Sequence, residues 1–114
     1  MKSALFVFNG DPMCFIHVLL NAKDMEQKGH EVEIVIEGAA TKLIPELEKE
    51  DSLLHALWTE VKGKGLVAGV CRACSMKMGT IEAASDAGLA ILDDMAGHPS
   101  MQAYMDKGYQ IITF

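Results

Sequence analysis

The sequence predicts an α/β fold in which a five-stranded, mainly parallel sheet lies between helical layers. Three observations carry that prediction. Strand-like runs alternate with helix-patterned segments five times along the 114 residues, the order that parallel strands and crossover helices produce. The runs Ala4 to Phe8 and Leu66 to Val70 are apolar without polar alternation, as strands covered on both faces must be. Turn and capping residues separate the segments, as in Asn9-Gly10-Asp11-Pro12, Glu37-Gly38, Gly63-Lys64-Gly65 and Gly79-Thr80. At this length the chain forms one domain, residues 1–114, with room for a single core.

Each element follows from local chemistry. Asp11 suits an N-cap and Pro12 a first helical position, so a helix runs from there to Gly29 with Phe15, Ile16, Leu19, Leu20 and Ala22 on its buried stripe. Cys14 and His17 lie three apart and share a face near its start. Glu31 to Ile36 is the second strand. A short helix spans Ala39 to Leu47 and is kinked or restarted at Pro45, which lacks an N–H and clashes one turn back. Asp51 or Ser52 caps the next helix, and Leu53, Leu54, Leu57, Trp58 and Val61 fall on its inner side. Beyond the strand Leu66 to Val70, one helical segment reaches Met78, Gly79 ends it, and Thr80 caps a second segment to Ala87. Leu89 to Leu92 is the fourth strand, and Pro99 starts a helix with Met101, Tyr104 and Met105 inward. Tyr109 to Phe114 is the fifth strand.

Composition narrows the function. Sixteen acids against ten bases give a net charge of −6, which argues against a phosphate backbone as partner. The N-terminal apolar run is too short for a signal peptide, and no run approaches a membrane span. A cytoplasmic protein with neither nucleic-acid nor membrane partner is expected. Half of the residues are apolar, more than a domain this small buries alone, so a homo-oligomer is expected as well. In a reducing compartment, three cysteines point to reactive or metal-binding thiols rather than structural disulfides.

Parallel sheets place functional groups at the carboxyl ends of their strands. Those ends carry Asn9 to Cys14, Glu37-Gly38, Cys71 to Cys74 and Asp93-Asp94, so all three cysteines map to one edge. Cys71 and Cys74, spaced C-x-x-C where a strand passes into a helix, are the candidate catalytic residues. Helix N-terminal N–H groups and the cations Arg72 and Lys77 are expected to stabilise a thiolate there, with Cys71 below the ordinary thiol range.

With the βα order of the segments and the cysteines in place, the chain resembles the DsrE/DsrF-like family, which includes TusD-like sulfur-relay proteins. Three passages carry the resemblance: the first strand and long helix ending Lys28-Gly29-His30-Glu31-Val32, the passage Ile34-Val35-Ile36-Glu37-Gly38-Ala39-Ala40, and Gly69-Val70-Cys71-Arg72-Ala73-Cys74-Ser75-Met76-Lys77-Met78-Gly79. The resemblance implies a three-layer α/β/α sandwich assembled as a homotrimer or homohexamer. It further implies a sulfur carrier, a possible sulfurtransferase, whose Cys71 takes sulfane sulfur as a persulfide from a donor protein and passes it to an acceptor. Cys74 stands where TusD-like chains tend to have alanine.

Two other chemistries fit the same residues. A dithiol redox module would use Cys71 and Cys74, although no proline is placed opposite them as thioredoxin-like chains require. A zinc site could draw on Cys14, His17, Cys71 and Cys74 if the first and third strands are neighbours, and Met76 and Met78 would extend the choice to copper(I). No cofactor is expected on the sulfur-carrier reading. His98 is read as the residue entering the last helix, near the same edge, while His30 and His55 are placed at the surface and Trp58 in the core. Asp93-Asp94 caps or turns the chain, and Gly10 and Gly38 lack a nucleotide-binding context.

Overall fold

Two apolar six-residue stretches set the sheet. β1 (Lys2–Val7) and β2 (Glu31–Ile36) pair in parallel from Lys2↔Glu31 to Val7↔Ile36 without a break. With β3 (Val67–Cys71), β4 (Ile91–Leu92) and β5 (Gln110–Thr113) they form a five-stranded sheet ordered β4-β3-β2-β1-β5. Every pairing is parallel in this computed structural model, which describes residues 1–114.

The helices fall where the caps put them. α1 (Pro12–Gln27) starts behind Asp11, whose Oδ1 accepts the Met13 N–H at 2.9 Å, and Gly29 takes a φ of 86° just past its end. A 3-10 turn over Gly38–Leu43 runs straight into α2 (Ile44–Leu47), so Pro45 does restart the helix. α3 (His55–Gly63), α4 (Arg72–Lys77), α5 (Ile81–Asp86) and α6 (Met101–Asp106) complete the order. No helix is long and apolar enough to cross a membrane.

Both faces of the sheet are covered, unequally. Leu5, Val7, Val32, Ile34 and Ile36 point to one side and join α1, α2, α3 and α5 in a cluster of nineteen buried residues. Ala4, Phe6 and Val35 point to the other, where three buried residues meet Met101 and Tyr104 of α6. Phe6 packs edge-on to Tyr104 with ring centroids 5.6 Å apart. Wholly buried Trp58 belongs to the larger cluster and donates its indole N–H to Glu48 Oε2 at 2.6 Å.

Some expected details differ. Leu20 is exposed and Val18 takes its place, because the stripe centred on Phe15, Leu19 and Ala22 turns Leu20 about 100° away from Leu19. α3 begins two residues beyond Leu53; Ser52 Oγ accepts the Leu54 N–H at 3.3 Å in a turn, and Leu53 is left fully exposed. Thr80 does hold the N-cap position of α5, but without a side-chain capping bond: its hydroxyl donates to the Thr41 carbonyl at 2.9 Å. α6 is capped by Ser100, with Oγ 3.2 Å from the Ala103 nitrogen, and Met105 faces outward. His55 is half-buried, its Nδ1 2.8 Å from the Leu47 carbonyl oxygen.

β3 reaches its partners through a bulge. The register skips Ala68 between Ile34↔Val67 and Val35↔Gly69, and Gly69 takes a φ of 155° with its α-carbon against the Ala90 carbonyl and the Leu92 side chain. A methyl group there has no room. Gly69→Ala is expected to cost about 1–3 kcal/mol, whereas Gly63→Ala in α3, with open space around it, is expected to be neutral or mildly stabilising. Urea unfolding of the two variants checks this; equal midpoints would contradict it.

Candidate active site

Cys71 is both the last residue of β3 and the N-cap of α4. No loop separates sheet from helix. Its Sγ accepts the Cys74 N–H at 3.4 Å, which holds the two thiols on one helical turn. β4 lies beside β3, with Val70↔Ile91 and Cys71↔Leu92 in register, so the segment leaving β4 passes over the start of α4.

That segment turns sharply. Met95 and His98 exchange backbone hydrogen bonds of 2.7 and 2.9 Å across Ala96 and Gly97, which have φ values of 50° and 88°. Two consecutive positive φ angles are the signature of a type I′ turn, an uncommon conformation for alanine. The Gly97 carbonyl accepts the Ala73 N–H at 2.9 Å and clips the turn to α4. His98 is thereby delivered to the thiols, with Nδ1 3.1 Å from Cys71 Sγ and 3.9 Å from Cys74 Sγ.

Cys71 has no exposed surface, while Cys74 and His98 are half-buried. Burial pushes the Cys71 thiol up to about 12, against the pull of the Cys74 N–H. Glu37, buried at the end of β2, adds its negative charge, and burial also raises its own carboxyl, partly offset by His98. The expectation of an acidified Cys71 is therefore not met. The helix-end donor is present as expected, but desolvation outweighs it, and Arg72 and Lys77 are exposed.

Of the other residues read from the sequence, Cys14 is half-buried and His17 exposed on the first turns of α1. They share the sheet edge with Cys71 but not its site: β2 stands between β1 and β3, a separation of about 9–10 Å across two strand spacings. The group of possible ligand atoms comprises Cys71, Cys74 and His98. His98 was legible only as a residue beyond the fourth strand at the active edge. Nothing in its spacing announces the turn that aims it.

A sequence profile of the DsrE/DsrF-like family matches residues 2–114. The chain belongs to that family. An uncharacterized protein of Methanocaldococcus jannaschii is 34% identical to this DsrE/DsrF-like chain over 97 residues, which cover 85% of it and 77% of the relative. One from Archaeoglobus fulgidus is 40% identical over 53 residues, 46% of this chain and 85% of that one. A solved structure of a conserved protein of unknown function from Bacteroides thetaiotaomicron superposes with a TM-score of 0.69. It covers 99% of this family member and 94% of that chain at 16% identity, and so agrees in fold.

The burial difference has two consequences. In the folded protein at neutral pH, Cys14 and Cys74 are expected to be alkylated by iodoacetamide well before Cys71, and denaturant should abolish the difference; peptide mass spectrometry reads this, and equal rates would contradict it. In addition, because the folded-state value of about 12 lies above the ordinary thiol value of about 8.5, the folded chain keeps this proton after the unfolded chain has lost it. Stability should fall as pH rises from the lower value toward the upper. Cys71→Ala should flatten that part of the urea-midpoint profile.

Proposed function

We propose that this protein is a sulfane-sulfur carrier of the sulfur-relay kind, holding one sulfur as a persulfide on Cys71 and passing it between a donor and an acceptor protein in the reducing cytoplasm. One observation carries the reading: the wholly buried Cys71 Sγ lies 3.1 Å from His98 Nδ1, within reach for a proton to pass between them. Family membership and the position of Cys71 at the end of the third strand agree with it.

The transfer needs no redox partner. Cys71 gives its proton to His98 as its sulfur attacks the outer sulfur of a donor persulfide. The donor's S–S bond breaks, and the departing thiolate takes the proton back from His98. Cys71 then carries S–SH and the donor a thiol. Delivery repeats the step, with the acceptor thiolate attacking the outer sulfur. Attack by Cys74 on the inner sulfur instead closes a Cys71–Cys74 disulfide and expels hydrosulfide, so the second thiol sets the lifetime of the cargo. Since Cys71 is wholly buried, partners reach it past the partly exposed Cys74 and His98.

The reading includes assembly as a homotrimer or homohexamer. Fully exposed Leu53 and largely exposed Met13, beside Pro12, Ile16 and Leu54 in one apolar cleft, support it. Light scattering that reports a monomer at micromolar concentration would remove that part.

Intact-mass spectrometry after treatment with a persulfide donor tests the chemistry. The unmutated protein should gain one sulfur, Cys71→Ser none, and Cys74→Ser one that persists longer. His98→Ala should load about 100-fold more slowly, the lower end for loss of a general base. A gain that survives in Cys71→Ser and vanishes in Cys74→Ser would move the cargo to Cys74. No gain in the unmutated protein would end the proposal.

A further inference from the structure

The same corner of the sheet has the makings of a metal centre different from the one the sequence suggested. Cys71 Sγ, Cys74 Sγ and His98 Nδ1 lie within 4.8 Å of one another. Tetrahedral zinc, with Zn–S of about 2.3 Å and Zn–N of about 2.0–2.1 Å, sets its sulfur and nitrogen ligands about 3.6 Å apart. The observed separations of 3.1 and 3.9 Å lie on either side of that value. Small side-chain rotations complete the triangle.

We propose that Cys71, Cys74 and His98 bind one zinc ion, leaving its fourth tetrahedral position to water or an exchangeable ligand. Three further observations support this site. Two of the ligands sit on a junction without a loop, where the Cys74 N–H bonds Cys71 Sγ, so their spacing is set before any ion arrives. The third is presented by a turn that holds Ala96 at a φ of 50°, and such strained backbone is found where a side chain must be aimed. Finally, a thiolate at the wholly buried Cys71 needs a positive charge beside it, and Arg72 and Lys77 are exposed. Zinc supplies that charge.

The donor set selects the metal. Two thiolates and an imidazole suit zinc and reject calcium and magnesium, which take oxygen ligands. Binding exchanges two thiol protons for one divalent ion: both cysteines become thiolates, the protons leave to solvent, His98 binds as the neutral ring, and no electron is transferred. Three protein ligands with one open position is the pattern of catalytic rather than structural zinc.

The proposal shares atoms with the persulfide reading but does not rest on it, and its test uses no sulfur donor. The reduced protein, stripped with a chelator, is titrated with zinc against a chromophoric competitor and, separately, with cobalt(II). One equivalent of zinc should bind with submicromolar affinity, and cobalt(II) should show thiolate-to-metal charge transfer with tetrahedral d–d bands. Cys71→Ser, Cys74→Ser and His98→Ala should each weaken zinc binding by about 100-fold, while the Cys14→Ser and His17→Ala variants should bind as the unmutated protein does. Absence of the cobalt thiolate band in the unmutated protein overturns the site without recourse to any variant. So does zinc binding lost through Cys14 or His17 and kept without His98, or tight copper(I) binding with none of zinc.

Discussion

The site depends on a sheet-to-helix passage with no residue to spare. Cys71 ends β3 and caps α4, so the side chain that would line a loop elsewhere here accepts the Cys74 N–H. This fixes both thiols relative to the sheet. β3 in turn cannot slide, because β2 pairs it on one side and β4 on the other, with Ile36↔Val70 and Cys71↔Leu92 in register. The bulge at Ala68 and the bare α-carbon of Gly69 let β4 come close enough to carry His98 over α4. Cys71 and His98, 27 positions apart in sequence, thus meet at one packed junction.

Electrostatics at this junction is a contest between two effects of unequal size. A helix N-terminus stabilises a nearby negative charge by about 0.3–1 kcal/mol, and a six-residue helix such as α4 offers a modest dipole. Removing a charge from water costs several kcal/mol. With Cys71 wholly buried and Glu37 nearby, the larger effect wins and the thiol stays protonated. A buried, protonated sulfur becomes useful when a base or a cation is brought to it. His98 is the base.

Most of the fold was legible because parallel sheets need continuous apolar strands, and β1 and β2 fall almost where their runs do. The caps Asp11 and Ser100 differ in this respect: Asp11 stands next to a proline that marks the helix start, whereas Pro99 drew the eye one residue ahead of Ser100. Strand order was not legible, since runs of similar composition carry no record of their neighbours. That is why the shared sheet edge alone suggests a site with Cys14 and His17, from which β2 separates them. Burial of Cys71 was hidden for the same reason. It comes from the Met95–His98 turn, which no local pattern around the C-x-x-C predicts.

A persulfide and a zinc ion at this site would exclude each other. A persulfide uses the Cys71 lone pair in a new S–S bond and needs the His98 ring free to take a proton. Zinc takes that ring nitrogen and both thiolates at once. The closeness that suits one therefore suits the other: Nδ1 at 3.1 Å from Cys71 Sγ is a hydrogen-bond distance for proton transfer, and a rotation of a few tenths of an ångström from a ligand spacing. The cost of burying charge also has the same remedy in both states, since each leaves no isolated thiolate inside. On the carrier reading the resting thiol is neutral, and on the zinc reading two thiolates would neutralise one divalent ion. Cys74 would decide between them: as a ligand it would close the metal triangle, and as a free thiol beside a persulfide it would limit how long sulfur stays.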